Sequence, residues 1–223
     1  MKIPSSTFDF LKALKENNNR EWFNDNREQY ETARLNFVEF AQEILNGLSK
    51  IDKRIPADLP VSKCVYRIYR DIRFSNDKTP YKGYFSAAYS PTGRSSVLPG
   101  YYLHIEPGQS FGTAGIWHPE KEKLTAIRQE IDYNGEKFRT IVDRLKSELG
   151  ISLDQGDRLK KAPSGYAIDH PEIEFLRLKS FTASKDLSDD TLKSEKAVAE
   201  IIESFATLQP FQEFLYEAIE DAF

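Results

Sequence analysis

Apolar residues recur every three or four positions at both ends of the chain, which is the spacing of one face of an α-helix. Near the N-terminus, Phe8, Leu11 and Leu14 predict a short amphipathic helix. Near the C-terminus, residues 192–208 and 211–222 show the same spacing, interrupted at Pro210. We expect these terminal helices to pack as a layer over a sheet.

A second N-terminal stripe, which starts at Trp22 and reaches Leu48, predicts a long helix ending at about residue 50. Asn18, followed three residues later by Glu21, resembles a capping box at its start. Asn26 is the one polar member of the stripe. It is either a half-buried side chain bonded to nearby backbone or one that reaches into a site.

The middle of the chain changes to a period of two, which is typical of β-strands. Residues 64–74 alternate, so that Arg67, Tyr69, Asp71 and Arg73 share one predicted face and the apolar residues share the other with Arg70. Ser75, Asn76 and Asp77 mark a turn. Three further strands are predicted at residues 82–90, 101–106 and 110–117.

Helices are predicted again at residues 119–131 and 136–149, and residues 175–181 are expected to include a strand. Consecutive strands without intervening helices favour an antiparallel meander. The predicted fold is therefore α+β, with a central, mainly antiparallel sheet at about residues 62–118 covered by N-terminal and C-terminal helices. We expect residues 1–223 to form a single domain.

Charge is unevenly distributed along the 223 residues, whose formal net charge is −4. Residues 61–90 carry six Lys or Arg against two Asp, a net charge of +4. Residues 186–223 carry ten acidic side chains against two Lys, a net charge of −8. A basic stretch in an acidic protein indicates a specific anionic ligand, or docking of one part of the chain on another, rather than generic binding of nucleic acid.

The compartment and the membrane can be addressed from the same composition. Cys64 is the single cysteine, which excludes an intrachain disulfide and fits a reducing compartment. The N-terminal residues lack the apolar core of a signal peptide, and no apolar run approaches the ~20 residues that span a bilayer. We expect a cytoplasmic protein without membrane association. The oligomeric state is not predicted.

The polar face of the first predicted strand is the main candidate site. Arg67, Asp71 and Arg73 point the same way, with about 7 Å between positions two residues apart. Arginine forks suit bidentate recognition of a carboxylate or phosphate, and Asp71 is a candidate catalytic residue. The alternative is a surface ladder of Arg–Asp pairs, each contributing ~0–1 kcal/mol.

Arg70 interrupts the apolar face, where an unpaired guanidinium is costly. Glu21 on the long helix is a candidate partner. Arg70 is thus either a structural ion pair or a ligand-binding group.

The loop after this strand adds two ammonium groups and a phenol, from Lys78, Lys82 and Tyr81. Pro80 stiffens the turn and biases Thr79 toward an extended conformation. These residues are candidates for an anion seat, or else solvated loop residues. No P-loop or dinucleotide fingerprint is present in the sequence, and no cofactor is predicted.

Histidine offers one further hypothesis. His104 and Glu106 share a strand face, and His118 follows the next strand. His104 is a candidate general base beside the arginine face. A metal site built from these three residues is not predicted, because no recognised ligand spacing supports it.

Four blocks of sequence carry a family resemblance that covers nearly the whole chain. They are NNNREWF at 17–23, YRDIRF with DKTPYK at 69–82, YLHIEPG with GIW at 102–117, and, more weakly, LKKAPSGY at 159–166. Together they resemble domain of unknown function 2461, known from bacteria and fungi. The resemblance implies no activity, substrate or catalytic residue.

The predicted function is binding of a small phosphate- or carboxylate-bearing ligand through Arg67, Arg70, Arg73, Lys78, Tyr81 and Lys82. Whether the protein also acts on this ligand is left open by the sequence. The alternatives are a nucleic-acid-binding module, in which tyrosines beside arginines stack bases, and a protein-interaction module without catalysis.

Overall fold

A computed structural model describes residues 1–220 of the chain. Its helices are α1 (Ser5–Glu16), α2 (Arg20–Asp25), α3 (Arg27–Ile51), α4 (Lys121–Tyr133), α5 (Gly135–Leu149), α6 (Ile173–Leu176), α7 (Asp189–Lys193), α8 (Ala197–Thr207) and α9 (Gln209–Glu220). Its strands are β1 (Phe85–Tyr89), β2 (Gly100–Ile105), β3 (Ser110–Ile116), β4 (Ser152–Leu153) and β5 (Phe181–Leu187).

The strands form one open sheet in the order β1-β2-β3-β5-β4. Strands β4 and β5 pair antiparallel, with Ser152 opposite Ser184 and Leu153 opposite Ala183. Helices together with an antiparallel sheet confirm the predicted α+β class. The sheet also takes two strands from beyond residue 118, β4 and β5. Of the segment 175–181 that was expected to include a strand, the first two residues lie in α6 and only Phe181 lies in β5.

The predicted strand at 64–74 was wrong as a regular strand. This segment makes two isolated antiparallel bridges, Val65 with Ala87 and Tyr69 with Tyr81. A continuous ladder needs consecutive donors and side chains on both segments. The facing segment contains Pro80, which has no N–H, and Gly83, which has no side chain to pack.

The predicted long helix is divided at Asn26, which has φ −105° and ψ 23°. Its Nδ2 donates to the carbonyl of Trp22 across 2.9 Å, so the bonding to nearby backbone is confirmed. The predicted cap was displaced by one residue, because it is Asn19 whose Oδ1 accepts the N–H of Trp22 at 2.9 Å. The side chain of Asn18 instead bonds the backbone of Tyr81.

Two compact units can be recognised, and each has its own core. The first comprises Met1–Ser95, Tyr102–Gly112 and Asp186–Ser204. In it α3 packs on β1, with the rings of Phe37 and Phe85 stacked 5.2 Å apart.

The second unit comprises, among the described residues, 96–101, 113–185 and 205–220. Phe138 on α5 is fully buried there, 4.8 Å from the ring of Phe214 on α9 and 6.3 Å from that of Phe181 on β5. The N-terminal and C-terminal helices thus supply core layers, as predicted.

Within residues 1–220, no helix combines the length and the apolar character that crossing a membrane requires.

Candidate functional site

The first unit carries two surface clefts beside residues 65–84. Cleft A has a volume of about 830 Å³, and its charged lining residues are Arg34, Arg67, Asp71, Lys82 and Arg94. Cleft B has a volume of about 550 Å³, and its charged lining residues are Lys15, Arg70, Asp71, Asp77, Lys82 and Glu106. Asp71 and Lys82 line both clefts, so the two are neighbours.

Cleft A is cationic, and none of its four cations has an ion-pair partner within residues 1–220, although Arg94 bonds two backbone carbonyls. Within residues 1–220, no carboxylate oxygen lies within 4.0 Å of a side-chain nitrogen of Arg34, Arg67 or Lys82. Asp71 is the one acidic lining residue of this cleft. Unpaired guanidinium and ammonium groups that converge on a concavity are suited to bind an anion.

Lys82 is the least exposed of these three cations. Its Nζ lies 5.2 Å from the ring centre of Tyr66 and 5.7 Å from that of Tyr84. Burial lowers the pKa of Lys82, and the nearby Arg67 lowers it further. An anion placed between Lys82 and Arg67 relieves this repulsion and favours the charged ammonium.

The rest of cleft A is largely apolar or aromatic. Its further lining residues include Tyr30, Val38, Val61, Val65, Tyr66 and Tyr69. Tyr30 is only 5% exposed, whereas Tyr69 is 41% exposed. The cleft therefore has an apolar wall beside its cations.

One edge of cleft A is held by Arg94. Its Nη1 donates to the carbonyls of Ser62 and Val65, the latter at 3.1 Å. The preceding Gly93 is buried and has φ +73°, and a Cβ there would lie 2.5 Å from the carbonyl oxygen of Lys63. Glycine at this position lets the loop that carries Arg94 approach the segment that carries Lys63.

The charges of cleft B are largely paired within the protein. Lys15 Nζ lies 3.0 Å from Glu106 Oε1, and Arg70 bonds Asp77 and the hydroxyl of Thr79. The hydrogen bond from Arg70, together with bonds from Thr79, lowers the pKa of Asp77 to about 2. Cleft B therefore offers an anion less unpaired charge than cleft A does.

The partner suggested for Arg70 was wrong, since Arg70 pairs with Asp77 and not with Glu21. Asp77 is much closer to Arg70 along the chain than Glu21 is. Seven residues separate Arg70 from Asp77, so the turn that the sequence marks at 75–77 brings the carboxylate back to its own strand-like segment.

Arg67, Asp71 and Arg73 have different environments in the structure. Arg67 and Asp71 both line cleft A, whereas Arg73 lines neither cleft. Arg73 instead donates two hydrogen bonds to the carboxylate of Asp71, from Nε to Oδ1 at 3.0 Å and from Nη2 to Oδ2 at 2.6 Å. Its hydrogen bonding lowers the pKa of Asp71 to about 2. Lys78 also lines neither cleft and donates to the carbonyl of Ile72 at 2.9 Å.

Tyr81 reaches cleft B, but its ring is only 5% exposed and stacks on Phe23 at 3.9 Å. The side chain of Asn18 bonds the backbone of Tyr81 twice, with Nδ2 donating to the carbonyl at 2.9 Å and Oδ1 accepting the N–H at 3.1 Å. Tyr81 and Asn18 therefore hold the segment in front of Lys82 in place.

His104 lies behind cleft B in a hydrogen-bonded chain. Its Nε2 is 3.0 Å from Glu106 Oε2, and its Nδ1 is 3.2 Å from the hydroxyl of Tyr102. Its ring stacks 4.8 Å from Phe111 and lies 4.1 Å from the ring centre of Tyr84. All of these side chains except Tyr84 belong to the β2–β3 hairpin or its immediate ends.

Protonation in this chain follows from burial and bonding. Burial lowers the pKa of His104 below 6.5, although Glu106 opposes the shift. Burial raises the pKa of Glu106, but bonds from His104 and Lys15 outweigh it and leave the net pKa lowered. A neutral His104 therefore donates from Nε2 to an ionised Glu106 and accepts the Tyr102 O–H at Nδ1.

The remaining chemically reactive side chains lie outside this arrangement. His118 bonds Asp157 at 3.2 Å. Across the part of the chain that the structure describes, no group of three His, Cys, Asp or Glu side chains could hold a metal ion. Cys64 is fully buried, and burial raises the pKa of its thiol to about 11, which keeps it protonated.

Sequence reasoning missed Arg34 and Arg94. Arg34 follows Tyr30 by four residues and precedes Val38 by four, so all three lie along one face of α3. That spacing was the available signal. Arg94 lies in a loop without a periodic pattern, so nothing in the sequence pointed to it.

A family model described as "Conserved hypothetical protein (DUF2461)" matches residues 6–214. The chain belongs to the DUF2461 family. The match spans all four blocks in which the resemblance was noted, and it assigns no activity to this DUF2461 protein. No curated protein and no solved structure matches the chain.

Proposed function

We propose that this DUF2461 protein binds a small phosphate- or carboxylate-bearing ligand in cleft A, through Arg34, Arg67 and Lys82. The observation that carries the proposal is that these three cations line one cleft and have no ion-pair partner among the described residues. In contrast, Lys15 and Arg70 in cleft B are each paired with a carboxylate. A ligand anion supplies in cleft A what Glu106 and Asp77 supply in cleft B.

The other predicted ligand residues take supporting roles in this proposal. Arg73 holds Asp71, Arg70 holds Asp77, and Lys78 bonds backbone. Each shapes residues 70–79 beside the site, and we expect none of them to contact the ligand directly. Of the six ligand-binding residues predicted from the sequence, Arg67 and Lys82 keep that role in this proposal, and Arg34 is added to them.

We propose binding without assigning a reaction. Asp71 is held ionised by Arg73, and both ring nitrogens of His104 are engaged by Glu106 and Tyr102. A general base must reach the proton that it removes. The His104 side chain is only 10% exposed and does not line either cleft, which favours a structural role for it.

Calorimetric titration with methyl phosphate and with acetate, at low ionic strength, tests the proposal. We expect saturable binding that weakens at least about tenfold in Arg67→Gln and in Lys82→Met, because each removes one charge-assisted contact worth about 1.5–3 kcal/mol. Lys12→Met and Arg144→Gln are matched controls that change exposed cations outside both clefts, and they should bind as the parent does. The proposal would be overturned if neither methyl phosphate nor acetate bound at ~10 mM, or if the control variants lost as much affinity as the cleft variants.

A second candidate function is binding of single-stranded nucleic acid, and one observation favours it. Phe74 is 96% exposed, and the guanidinium of Arg73 lies 5.8 Å from its ring centre. An exposed ring beside cations can stack a base. This reading requires that Phe74→Ala weaken binding of an oligonucleotide, and that the affinity fall with added salt.

We also propose that the chain is one domain that works in the cytoplasm. The two compact units are each assembled from segments that alternate along the chain, and the family match includes residues of both. A single cooperative unfolding transition supports one domain, and two resolved transitions count against it.

The proposed cytoplasmic location rests on the single cysteine, Cys64, which fits a reducing compartment, and cell fractionation can test it.

A further inference from the structure

The lining of cleft A changes character with depth. Its arginines Arg34, Arg67 and Arg94 are exposed, while Val38, Val61 and Val65 are only partly exposed and Tyr30 is buried. The cations other than Lys82 therefore lie toward solvent, and the less exposed part of the lining is aliphatic and aromatic.

A bare anion leaves this apolar wall unused. The cleft volume of about 830 Å³ is far larger than a single phosphate or carboxylate group requires. It lies within the range of sites that enclose whole small molecules, which are mostly apolar with a few placed polar groups. A ligand that fills it must add an apolar body to the anionic group.

The aromatic side chains indicate what that body is. The ring of Tyr69 makes tilted contacts with those of Phe23 and Tyr81, at centroid distances of 6.1 and 5.5 Å, and Tyr69 remains 41% exposed. Tyr66 lines the same cleft with its ring beneath Lys82 Nζ. Flat, partly exposed rings favour another ring in an offset or edge contact over an alkyl chain.

We propose that the ligand of cleft A carries an aromatic ring joined to its phosphate or carboxylate, with the ring against Tyr66, Tyr69 and the valines. This inference rests on the proposed function, because the anionic group is held by Arg34, Arg67 and Lys82. The cations of cleft A favour ligands with an anionic group, and its aliphatic and aromatic lining favours ligands in which that group is joined to an aromatic ring. Both parts are needed for tight binding.

Calorimetric titration of three esters of equal charge separates the two parts. Phenyl phosphate should bind at least roughly tenfold tighter than methyl phosphate, since the ring buries apolar area and gains a ring contact. Cyclohexyl phosphate, which has similar bulk and no π-system, should fall between them. In Tyr69→Ala the advantage of phenyl phosphate should shrink at least threefold, while methyl phosphate binds as before.

Tyr66→Leu provides a second variant if Tyr69→Ala is poorly folded, and Tyr133→Ala, a 72% exposed tyrosine that lines neither cleft, is the matched control. Equal affinity for phenyl and methyl phosphate would overturn this inference and leave the anion site standing. Equal affinity for phenyl and cyclohexyl phosphate would overturn the inference that the apolar part of the ligand is aromatic. Failure of all three esters to bind would overturn the proposed function itself.

Discussion

Asn18 holds Tyr81 by both backbone groups, with its side-chain amide taking the place of a neighbouring strand. The bridge to Tyr69 uses the groups on either side, since Arg70 N–H donates to Pro80 and Lys82 N–H donates to Ile68. The N–H and carbonyl of Tyr81 point the other way, where Asn18 satisfies them at 3.1 and 2.9 Å. One asparagine thus ties the N-terminal helices to the segment that carries Lys82.

Asn18→Ala should therefore lower the free energy of unfolding by about 1–3 kcal/mol, because it leaves two partly buried backbone groups without partners. Urea denaturation measures this change. Asn17→Ala is the control, since within residues 1–220 the exposed Asn17 side-chain amide bonds only the carbonyl of Ala13 in the preceding helix, and it should cost no more than about 0.5 kcal/mol. Equal losses in the two variants would show that the contact with Tyr81 has no special weight.

Lys82→Met should leave the free energy of unfolding unchanged or raise it by up to about 1 kcal/mol. The half-buried ammonium has no carboxylate partner in the described chain, and methionine keeps most of the apolar stem. Urea denaturation in a buffer free of phosphate measures the effect.

Lys15→Met is the matched comparison, because Lys15 has the partner that Lys82 lacks. Its ammonium pairs with Glu106, whose side chain is only 16% exposed. We expect this variant to lose roughly 1 kcal/mol. If Lys82→Met instead loses more stability than Lys15→Met, Lys82 is a structural residue rather than a ligand-binding one.

Gly93→Ala should destabilise the protein more than Gly108→Ala does, although the two glycines have nearly the same φ, +73° and +74°. Both variants pay about 1–2 kcal/mol for a left-handed backbone with a side chain. Of the two, only the Cβ at residue 93 meets backbone, whereas beyond its chain neighbours no described atom lies within 4 Å of the one at residue 108.

The clash should add about 1–3 kcal/mol at residue 93, measured as the difference in urea midpoint at constant slope. Gly93→Ala should also weaken methyl phosphate binding. The loop positions Arg94, whose bonds to the carbonyls of Ser62 and Val65 hold one edge of cleft A. Indistinguishable midpoints for the two variants would contradict the close approach to Lys63.

Stability should fall as the pH falls from 7.5 to 5.5, and His104 should account for part of the decrease. Its pKa in the folded protein is lowered by burial below the ordinary 6.5, so the unfolded chain binds the proton first. This contribution is fully present above pH 6.5 and is lost as the pH drops toward the folded pKa. Its slope is at most about 1.4 kcal/mol per pH unit.

His104→Gln keeps a polar side chain between Tyr84 and Phe111 but removes the titrating ring. Its unfolding free energy, measured by urea titration at several pH values, should depend less on pH over this window. A variant with the full slope of the parent would assign the pH dependence to other groups.

Much of the local structure could be read from the chain because it depends on periodic burial. Phe8, Leu11 and Leu14 face the core as their spacing predicted, and the strands predicted at 101–106 and 110–117 agree with β2 and β3 to within a residue. Residues 64–74 show the limit of the pattern. Alternation indicates two faces, but a ladder also needs a partner segment with consecutive N–H groups and side chains to pack, and there Pro80 lacks the N–H and Gly83 lacks the side chain.

The family, the α+β class and the basic character of residues 61–90 were determined by the sequence itself, since composition and order carry them. Only the tertiary structure decided which cations are already paired. Arg70 and Arg73 pair with Asp77 and Asp71, whereas Arg67 and Lys82 line a cleft with Arg34 from a distant helix and, within residues 1–220, form no ion pair with a carboxylate. Charge pairing depends on distances in space, and residues that are far apart in sequence set those distances only after the chain has folded.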